Sequence, residues 1–240
     1  MKKIFLFCLP YAGGSSVIYT RWKPLLDSGI ELVPLELAGR GRRINESFYE
    51  SVDEAVNDLL PVVEPYLDKG QAAFFGYSMG SLIAFELIHR IREKHGHNPL
   101  HFFAAARMAP HIQRTEPPLH GMEPELFKTK IADLGGTPPQ LFENSELMNL
   151  FLPLLRADFR LVETYAYAEK AEKLDCAMTV LAGKRDKMRE TDVLEWKRHT
   201  TGAFTAHSFD GGHFFINDFQ KEIVDILHAS LGIRYSSLYA

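Results

Sequence analysis

Cysteine is scarce in this sequence. There are two among 240 residues, Cys8 and Cys176, and each lies inside an apolar run. They form no CxxC pair and show no Cys/His spacing of a metal site, which excludes a disulfide framework and a cysteine-based zinc site. We therefore expect two buried thiols, no metal, no cofactor and a reducing, cytoplasmic setting.

Long hydrophobic runs are missing as well, since no apolar run approaches the ~18 residues of a membrane span. The first residues, "MKKIFLFCLP", imitate a signal peptide, but Pro10 ends the apolar run after about six residues, where such a segment needs roughly 7–15. A buried first strand is the better interpretation. An excess of basic charge is also absent: the net charge of -4 and the pI near 6.2 give no reason to expect nucleic acid as a partner.

What is present is an alternation of short apolar runs with segments of helical period, in a chain that is 46% apolar and 24% charged. The runs typical of strands are "IFLFCLP", "IELVPLEL", "AAFFGYS", "LHFFAAARM", "CAMTVLAG" and "FTAHSF". Helices are predicted at about residues 17–27, 51–68, 79–95, 189–200 and 218–231. Because the strands are continuously apolar, the pattern predicts one α/β domain over residues 1–240, with a mostly parallel central sheet and helices on both faces.

One segment breaks that alternation. Residues 115–172 contain no good strand, two proline-rich turns and helical patterns such as "SELMNLFLPLLRADFRLVETYAY". A helical insertion between two strands of an α/β sheet is typical of a lid. We therefore predict a helical lid over residues 115–172.

The segment "AAFFGYSMGSLIAFELIHRI", residues 72–91, places a serine between two glycines where a predicted strand passes into a predicted helix. This context fits a nucleophile elbow, a strained turn that admits only small residues two positions either side of the serine, here Gly76 and Gly80. Such a turn exposes the Ser78 hydroxyl at the N-terminus of the helix. The alternative is a glycine-rich turn in which Ser78 only caps the helix.

A serine nucleophile needs a base and an orienting acid, and in this arrangement the chain order is serine, acid, histidine. Among ten histidines, His213 in "FDGGHFF" is favoured as the base, because its loop lies just beyond the last predicted strand. Asp186 in "TVLAGKRDKM" is favoured as the acid. Asp210 is too close to His213 in sequence to orient its ring easily, and Asp158 lies in the lid.

Acyl transfer also needs two backbone N–H donors for the oxyanion. The first is assigned to Met79, the residue after the nucleophile. The second is assigned to Ala12 in "CLPYAGGSS", where Gly13 and Gly14 allow a close approach of the backbone. An ordinary glycine-rich turn is the alternative for this loop.

Several phrases together resemble the type II thioesterases, the stand-alone α/β-hydrolases of nonribosomal peptide and polyketide synthesis. They are "PYAGG", "ELAGRGRR", "GYSMGSLIAFEL", "LGGTPPQLFENSELMNLFLPLLRADFRLVETY", "LAGKRDKM" and "FDGGHFFI", and they cover about residues 4 to 230 in the same order. The resemblance implies an α/β-hydrolase fold with the lid inserted before the acid-bearing strand. It also places Ser78, Asp186 and His213 on the triad positions of the family.

The activity that this resemblance implies is the hydrolysis of acyl or aminoacyl thioesters on the phosphopantetheine arm of acyl or peptidyl carrier domains, which clears misprimed or stalled arms. One departure is Tyr77, where many members have histidine; we expect it to change the shape of the pocket and not the mechanism. The lid is expected to supply the acyl pocket, with some of its apolar residues serving only as packing: Met122, Leu126, Phe127, Leu134, Leu141, Phe142, Leu150 and Phe151. Arg156 and Asp158 are expected to form at most a structural pair.

Two basic clusters follow predicted strands. Their members are Arg40, Arg42 and Arg43 in "GRGRR", and Lys184, Arg185, Lys187 and Arg189 in "GKRDKMR". Because loops after parallel strands gather on one edge of a sheet, we predict that both clusters form a rim near Ser78. Such a rim would steer an acidic carrier protein or meet the pantetheine phosphate. Solvated surface charge is the alternative.

Other functions compatible with the elbow stay open. An esterase acting on small or lipid esters shares the triad, and a medium-chain fatty acyl thioesterase shares the thioester chemistry. A macrocyclising release domain fits less well, because no carrier-domain motif accompanies the chain. A non-catalytic carrier-binding module fits least, since all three triad residue types stand in order. We expect a monomer.

Overall fold

A computed structural model describes residues 2–136 and 143–233, and its framework is one sheet of six strands. The strands in chain order are β1 (Ile4–Leu9), β2 (Ile30–Pro34), β3 (Gln71–Tyr77), β4 (His101–Ala105), β5 (Ala177–Gly183) and β6 (Phe204–Phe209). Across the sheet they lie in the order β2-β1-β3-β4-β5-β6, and every neighbouring pair is parallel. The predicted parallel sheet is confirmed.

The helices cover both faces of this sheet, as expected for its four central strands β1, β3, β4 and β5, which are mostly apolar and buried. The α-helices are α1 (Val52–Leu67), α2 (Met79–His95), α3 (Pro124–Leu134), α4 (Ser145–Thr164), α5 (Glu190–Leu194) and α6 (Gln220–Ser230). Short 3-10 helices cover Ser16–Trp22, Gly41–Arg43, Glu195–His199 and Phe215–Asn217. Helices α1 and α2 pack on one face, while the first 3-10 helix and α6 pack on the other.

Two predicted helices differ from the observed ones. The segment predicted at 17–27 is a 3-10 helix over Ser16–Trp22 and does not continue to residue 27. The segment predicted at 189–200 divides into α5 and a 3-10 helix. The remaining boundaries lie within about two residues of the expected ones, and α1 begins with the Ser51 hydroxyl accepting the Glu54 N–H at 3.1 Å.

The segment between β4 and β5 contains α3 and α4, which share a small hydrophobic cluster of their own. Its buried members are Phe127, Ile131, Met148, Leu152 and Leu155. Met122, Leu134 and Phe151, predicted for the acyl pocket, pack against this cluster. Leu126 and Leu150 are exposed, whereas Leu141 and Phe142 lie outside the described residues.

The strand order reverses direction between β1 and β3, since the chain passes from β1 to β2 on one side and then to β3 on the other. The loops that follow β1 and β3 therefore diverge at the carboxyl edge, which opens a crevice where ligands bind in sheets of this type. In the register, Leu9 at the end of β1 lies beside Gly76 of β3. Within the described part of the chain, no helix combines the length and the apolarity needed to cross a bilayer.

Candidate active site

Ser78 stands at the turn between β3 and α2 in a conformation that few residues adopt. Its φ of 52° and ψ of -112° are unusual for a residue with a side chain. A β-carbon at Gly76 would lie 2.3 Å from the Cα of Ser81, and one at Gly80 would lie 2.2 Å from the Leu9 carbonyl oxygen. Both glycines are thus required by close backbone approach, and the turn has the geometry of a nucleophile elbow.

Ser81, in the first turn of α2, holds this turn through hydrogen bonds, and the sequence analysis did not identify this residue. Its hydroxyl lies 2.7 Å from the Gly76 carbonyl oxygen and accepts the Ala105 N–H at 3.1 Å. The Ala105 carbonyl in turn accepts the Ser78 N–H at 2.7 Å. A fully buried hydroxyl on the apolar face of α2 was the available signal, because such a group needs partners.

The three predicted triad residues form one row of hydrogen bonds. His213 Nε2 lies 3.1 Å from Ser78 Oγ, and His213 Nδ1 lies 2.7 Å from Asp186 Oδ2. The other carboxylate oxygen of Asp186 accepts the Met188 N–H at 3.3 Å. The imidazole side chain is 24% exposed and that of Asp186 is 6% exposed, so a substrate can reach the base while the acid is shielded.

The loops that carry the acid and the base are joined to each other. The Lys184 N–H donates to the Phe209 carbonyl at 2.9 Å, and the Arg185 N–H donates to the Gly211 carbonyl at 2.9 Å. A β-carbon at Gly183 would lie 2.4 Å from the carbonyl oxygen of Gly212. This contact between two backbones explains why Asp186 and His213 meet although they follow different strands.

Tyr77 ties the base loop to the elbow, a contact that the sequence did not reveal. Its hydroxyl donates to the His213 carbonyl at 2.6 Å and accepts the Ile216 N–H at 3.3 Å. Burial is the largest influence on this phenol and raises its pKa well above the ordinary value, which keeps the O–H bond available for donation. Tyr77 therefore does more than shape a pocket, because it holds His213 in place.

The two alternative acids are engaged elsewhere. Asp210 pairs with Arg185 at 2.6 Å on the surface, where both side chains are well exposed. Asp158 pairs with Arg40 at 2.7 Å, and the two side chains are 3% and 4% exposed respectively. Asp186 is thus the carboxylate that meets the imidazole.

The loop after β1, which contains Ala12, turns sharply beside the elbow. The Gly14 N–H donates to the Tyr11 carbonyl at 2.8 Å, and Gly13 has a φ of 77°. The buried Glu36 side chain accepts the Ser15 and Ser16 hydroxyls at 2.8 and 2.9 Å and the Ser16 N–H at 3.0 Å. Met79, the other predicted oxyanion donor, is the first residue of α2.

The predicted basic rim needs correction at two positions. The first is Arg40, which is buried against Asp158 and cannot face a partner, and the second is Arg43. Because Asp158 pairs with Arg40, its expected pairing with Arg156, a residue outside the rim, does not form. Arg156 instead donates to the His120 carbonyl at 2.7 Å. Arg43 is mostly buried and pairs with Glu46 and Asp58, whose hydrogen bonds raise its pKa.

The other rim residues are exposed. Arg185 pairs with Asp210, and Arg189 pairs with Asp192. Of the seven rim residues, all of which the structure describes, three have no ion pair: Arg42, Lys184 and Lys187. The free positive charge of the rim is therefore smaller than its sequence suggests, because side chains that look alike in sequence have different partners.

The helical insertion between β4 and β5 contacts the loop after β1 and the loop after β6. A β-carbon at Gly13 would lie 2.6 Å from Leu155 Cδ2 and 3.0 Å from Phe151 Cζ, so α4 covers the loop after β1. A β-carbon at Gly136, just after α3, would lie 2.3 Å from the ring of Phe214, the neighbour of His213.

This arrangement is suited to acyl transfer. A hydroxyl faces an imidazole that is oriented by a shielded carboxylate, at the end of a helix whose N–H groups favour developing negative charge.

Comparison with known proteins agrees with acyl-transfer chemistry. The model of the thioesterase domain family matches residues 5–231. The crystal structure of ClbQ from the colibactin NRPS/PKS pathway is similar with a TM-score of 0.92 and 34% identity, covering 96% of this chain and 97% of that chain. The type II thioesterase BorB from the borrelidin biosynthetic cluster is similar with a TM-score of 0.86 and 35% identity, covering 95% and 93%.

A fatty acid enzyme is similar as well. The medium-chain S-acyl fatty acid synthase thioesterase of Rattus norvegicus is 34% identical over 218 residues, which cover 88% of this chain and 81% of that protein. The chain thus belongs to the thioesterase family, with the α/β-hydrolase fold that its sequence predicts, and is a type II thioesterase, an enzyme that hydrolyses thioesters.

Proposed function

We propose that the protein hydrolyses acyl or aminoacyl thioesters on the phosphopantetheine arm of carrier-protein domains, and that it regenerates arms loaded with a wrong or stalled group. The observation that carries this proposal is the row of hydrogen bonds from Ser78 through His213 to Asp186 at the elbow of a type II thioesterase. The similarity to ClbQ, from a pathway of nonribosomal peptide and polyketide synthesis, supports a carrier-bound substrate.

Acylation begins at Ser78. Because His213 Nδ1 donates to Asp186, Nε2 is left to accept the Ser78 proton as the oxygen attacks the thioester carbonyl. Asp186 stabilises the imidazolium that forms. When the tetrahedral intermediate collapses, the carbon–sulfur bond breaks and His213 returns the proton to the departing pantetheine sulfur.

Deacylation repeats these steps with water. His213 removes a proton from the water as its oxygen attacks the acyl-Ser78 ester, and then gives that proton to the Ser78 oxygen as it leaves. The products are the free acid and an enzyme ready for another turnover. The balance needs no metal, oxidant or reductant.

The oxyanion of both intermediates is assigned to the amides of Met79 and Ala12. Met79 starts α2, so its N–H is free of helical partners and points along the helix axis. Ala12 lies in the loop held by Glu36 beside the elbow. The acyl group would rest against the apolar wall formed by Phe151, Leu155 and Phe214.

The test compares three acetyl donors: an acetyl-phosphopantetheinyl carrier domain, acetyl-CoA and 4-nitrophenyl acetate. We expect kcat/KM to be highest for the carrier-bound donor, and we expect Ser78→Ala to lower it by at least about 10³-fold, because the nucleophile is lost. Release of acetate is measured for both proteins. If the nitrophenyl ester is hydrolysed well while the carrier is ignored, the protein is a small-molecule esterase and the proposal fails.

A medium-chain acyl thioesterase is the second candidate, because the rat enzyme of that name is 34% identical to this chain. Both candidates use the same triad, so acyl length separates them. The same carrier domain, loaded in turn with acetyl and decanoyl groups, gives the two values of kcat/KM. A clear preference for decanoyl would favour the second candidate.

The exposed cations Arg42 and Lys187 are proposed to meet the carrier or the phosphate of its arm. We expect Arg42→Glu with Lys187→Glu to raise KM for the acetyl carrier roughly tenfold, since attraction becomes repulsion, and to leave 4-nitrophenyl acetate unaffected. Arg43 is left unchanged, because its ion pairs with Glu46 and Asp58 belong to the fold. Equal effects on both substrates would remove the rim from the proposal.

A further inference from the structure

Arg40 and Asp158 form an ion pair that is closed off from solvent. Arg40 follows β2 and Asp158 lies in the C-terminal half of α4, 118 residues later. Two N–H···O bonds of 2.7 Å join the guanidinium to the carboxylate, and the two side chains are 4% and 3% exposed. Stability alone does not explain such a pair, because well-packed apolar residues in its place are often as stabilising or more so.

The pair closes around the loop that follows β1. The Asp158 carboxylate accepts the Gly13 N–H at 2.7 Å, and the Arg40 guanidinium donates to the Gly14 carbonyl at 3.1 Å. Leu155, three residues before Asp158 on the same helix, packs beside Gly13. The ion pair therefore bonds the backbone of two glycines directly, with the acidic partner supplied by the lid.

We infer that Asp158 is a positioning residue, which sets the oxyanion hole by holding Gly13 and, through it, the amide of Ala12. This rests on the proposed function, in which Ala12 is the second oxyanion donor. Such a donor is effective at about 2.7–3.1 Å from the developing charge, so a small displacement of the loop is costly. Two adjacent glycines give the loop wide freedom, and the carboxylate on α4 removes it.

A second ion pair on the same helix gives a matched comparison. Arg160, two residues after Asp158, pairs with Glu50, which precedes α1, and their side chains are 38% and 75% exposed. This pair also joins α4 to the segment before α1. Among the described residues it has no hydrogen bond to the loop after β1, so its loss affects the attachment of the helix without affecting the loop.

The test measures how strongly the enzyme prefers oxygen to sulfur at the reacting carbonyl. The substrates are 4-nitrophenyl acetate and 4-nitrophenyl thionoacetate, which release the same nitrophenolate. Sulfur is a poorer hydrogen-bond acceptor and is larger, so the thionoester gains less from oxyanion donors. The ratio of the two kcat/KM values therefore reports the position of the N–H donors relative to the oxyanion. A general disturbance of the fold lowers both values together and leaves the ratio unchanged.

We expect Asp158→Asn to lower kcat/KM for the oxygen ester by about 10- to 100-fold, since loss of a whole donor costs roughly 10²–10³. The kcat/KM value for the thionoester is expected to fall less than about threefold. The ratio of the oxygen-ester value to the thionoester value therefore decreases. Asp158→Glu keeps the charge beside Arg40 but displaces the carboxylate, and its ratio falls too. Arg160→Ala keeps the ratio of the unaltered enzyme. Thermal unfolding checks that each variant is folded.

Folded Asp158 variants with an unchanged ratio overturn the inference, whether or not both rates decrease. Failure of both variants to fold also overturns it, because Asp158 then acts on stability. The two esters need no carrier, so this result is independent of the carrier assay. If the carrier thioester is ignored while ester hydrolysis still depends on Ser78, the proposed function fails and the ratio still decides the role of Asp158.

Discussion

The two sides of the candidate site are held in different ways. The triad side consists of Ser78, Asp186 and His213, which follow β3, β5 and β6 and are joined by hydrogen bonds. The proposed oxyanion side is the loop after β1 with Ala12, which is held by Glu36, after β2, and by Asp158 of helix α4. One side is assembled within the sheet, and the other is completed by the lid.

This difference indicates that α4 can support the proposed oxyanion donor while, among the described residues, it has no hydrogen bond to Ser78, Asp186 or His213. The contacts that orient His213 come from the triad partners and from Tyr77, all on the sheet or its loops. Movement of α4 therefore leaves them in place. The loop at Gly13 loses a hydrogen-bond partner as soon as Asp158 moves away. The two sides should thus fail separately when they are damaged separately.

The largest expected effect breaks the triad side. Gly76→Ala places a β-carbon 2.3 Å from the Cα of Ser81, so the elbow has to shift. We expect kcat/KM to fall at least about 100-fold for both the oxygen ester and the thionoester, because a displacement of about 1 Å at the nucleophile has that effect. Kinetic assays with both substrates measure these losses.

A second glycine of the same site is the control for this change. A β-carbon at Gly212, next to His213, would meet no atom within 4 Å. Gly212→Ala is expected to keep activity within a few-fold. Comparable losses at the two glycines would show that crowding at the elbow is not the cause.

A smaller effect sharpens the comparison. Tyr77→Phe removes the hydroxyl that holds the His213 carbonyl and the Ile216 N–H, and leaving such groups unpaired costs about 1–3 kcal/mol. We expect kcat to fall about tenfold on both esters, from the part of that energy that orients the imidazole, with a ratio equal to that of the unaltered enzyme. A ratio that drops as in Asp158→Asn would mean that the two sides are coupled after all.

The sheet and the turn at Ser78 were predictable because their signals are local. A buried strand followed by a glycine, a serine and a second glycine determines the elbow, and chain order selects Asp186 and His213 from many candidates. The six strands were identified from short apolar runs for the same reason. Features that depend on a residue's own neighbours along the chain can be predicted from the sequence alone.

The burial and the ion-pair partners of the basic residues could not be predicted this way. Arg40, Arg42 and Arg43 stand together in sequence, yet one is buried against Asp158, one is free in solvent and one pairs with Asp58. The partner of Arg40 lies 118 residues away, and the carbonyl held by Tyr77 lies 136 residues away. Such contacts are set by the packing of the whole fold, which charge patterns do not encode.

The separate hydrophobic cluster of α3 and α4 has a consequence for how enzymes of this kind diversify. Within the described residues it shares no buried member with the two clusters on the faces of the sheet. Substitutions among Phe127, Ile131 and Met148 can therefore enlarge or shrink the lid without repacking the sheet. Because the proposed acyl wall includes Phe151 and Leu155 of α4, we expect that related enzymes can inherit the same triad while substitutions in this helical insertion change their preference for an acyl group.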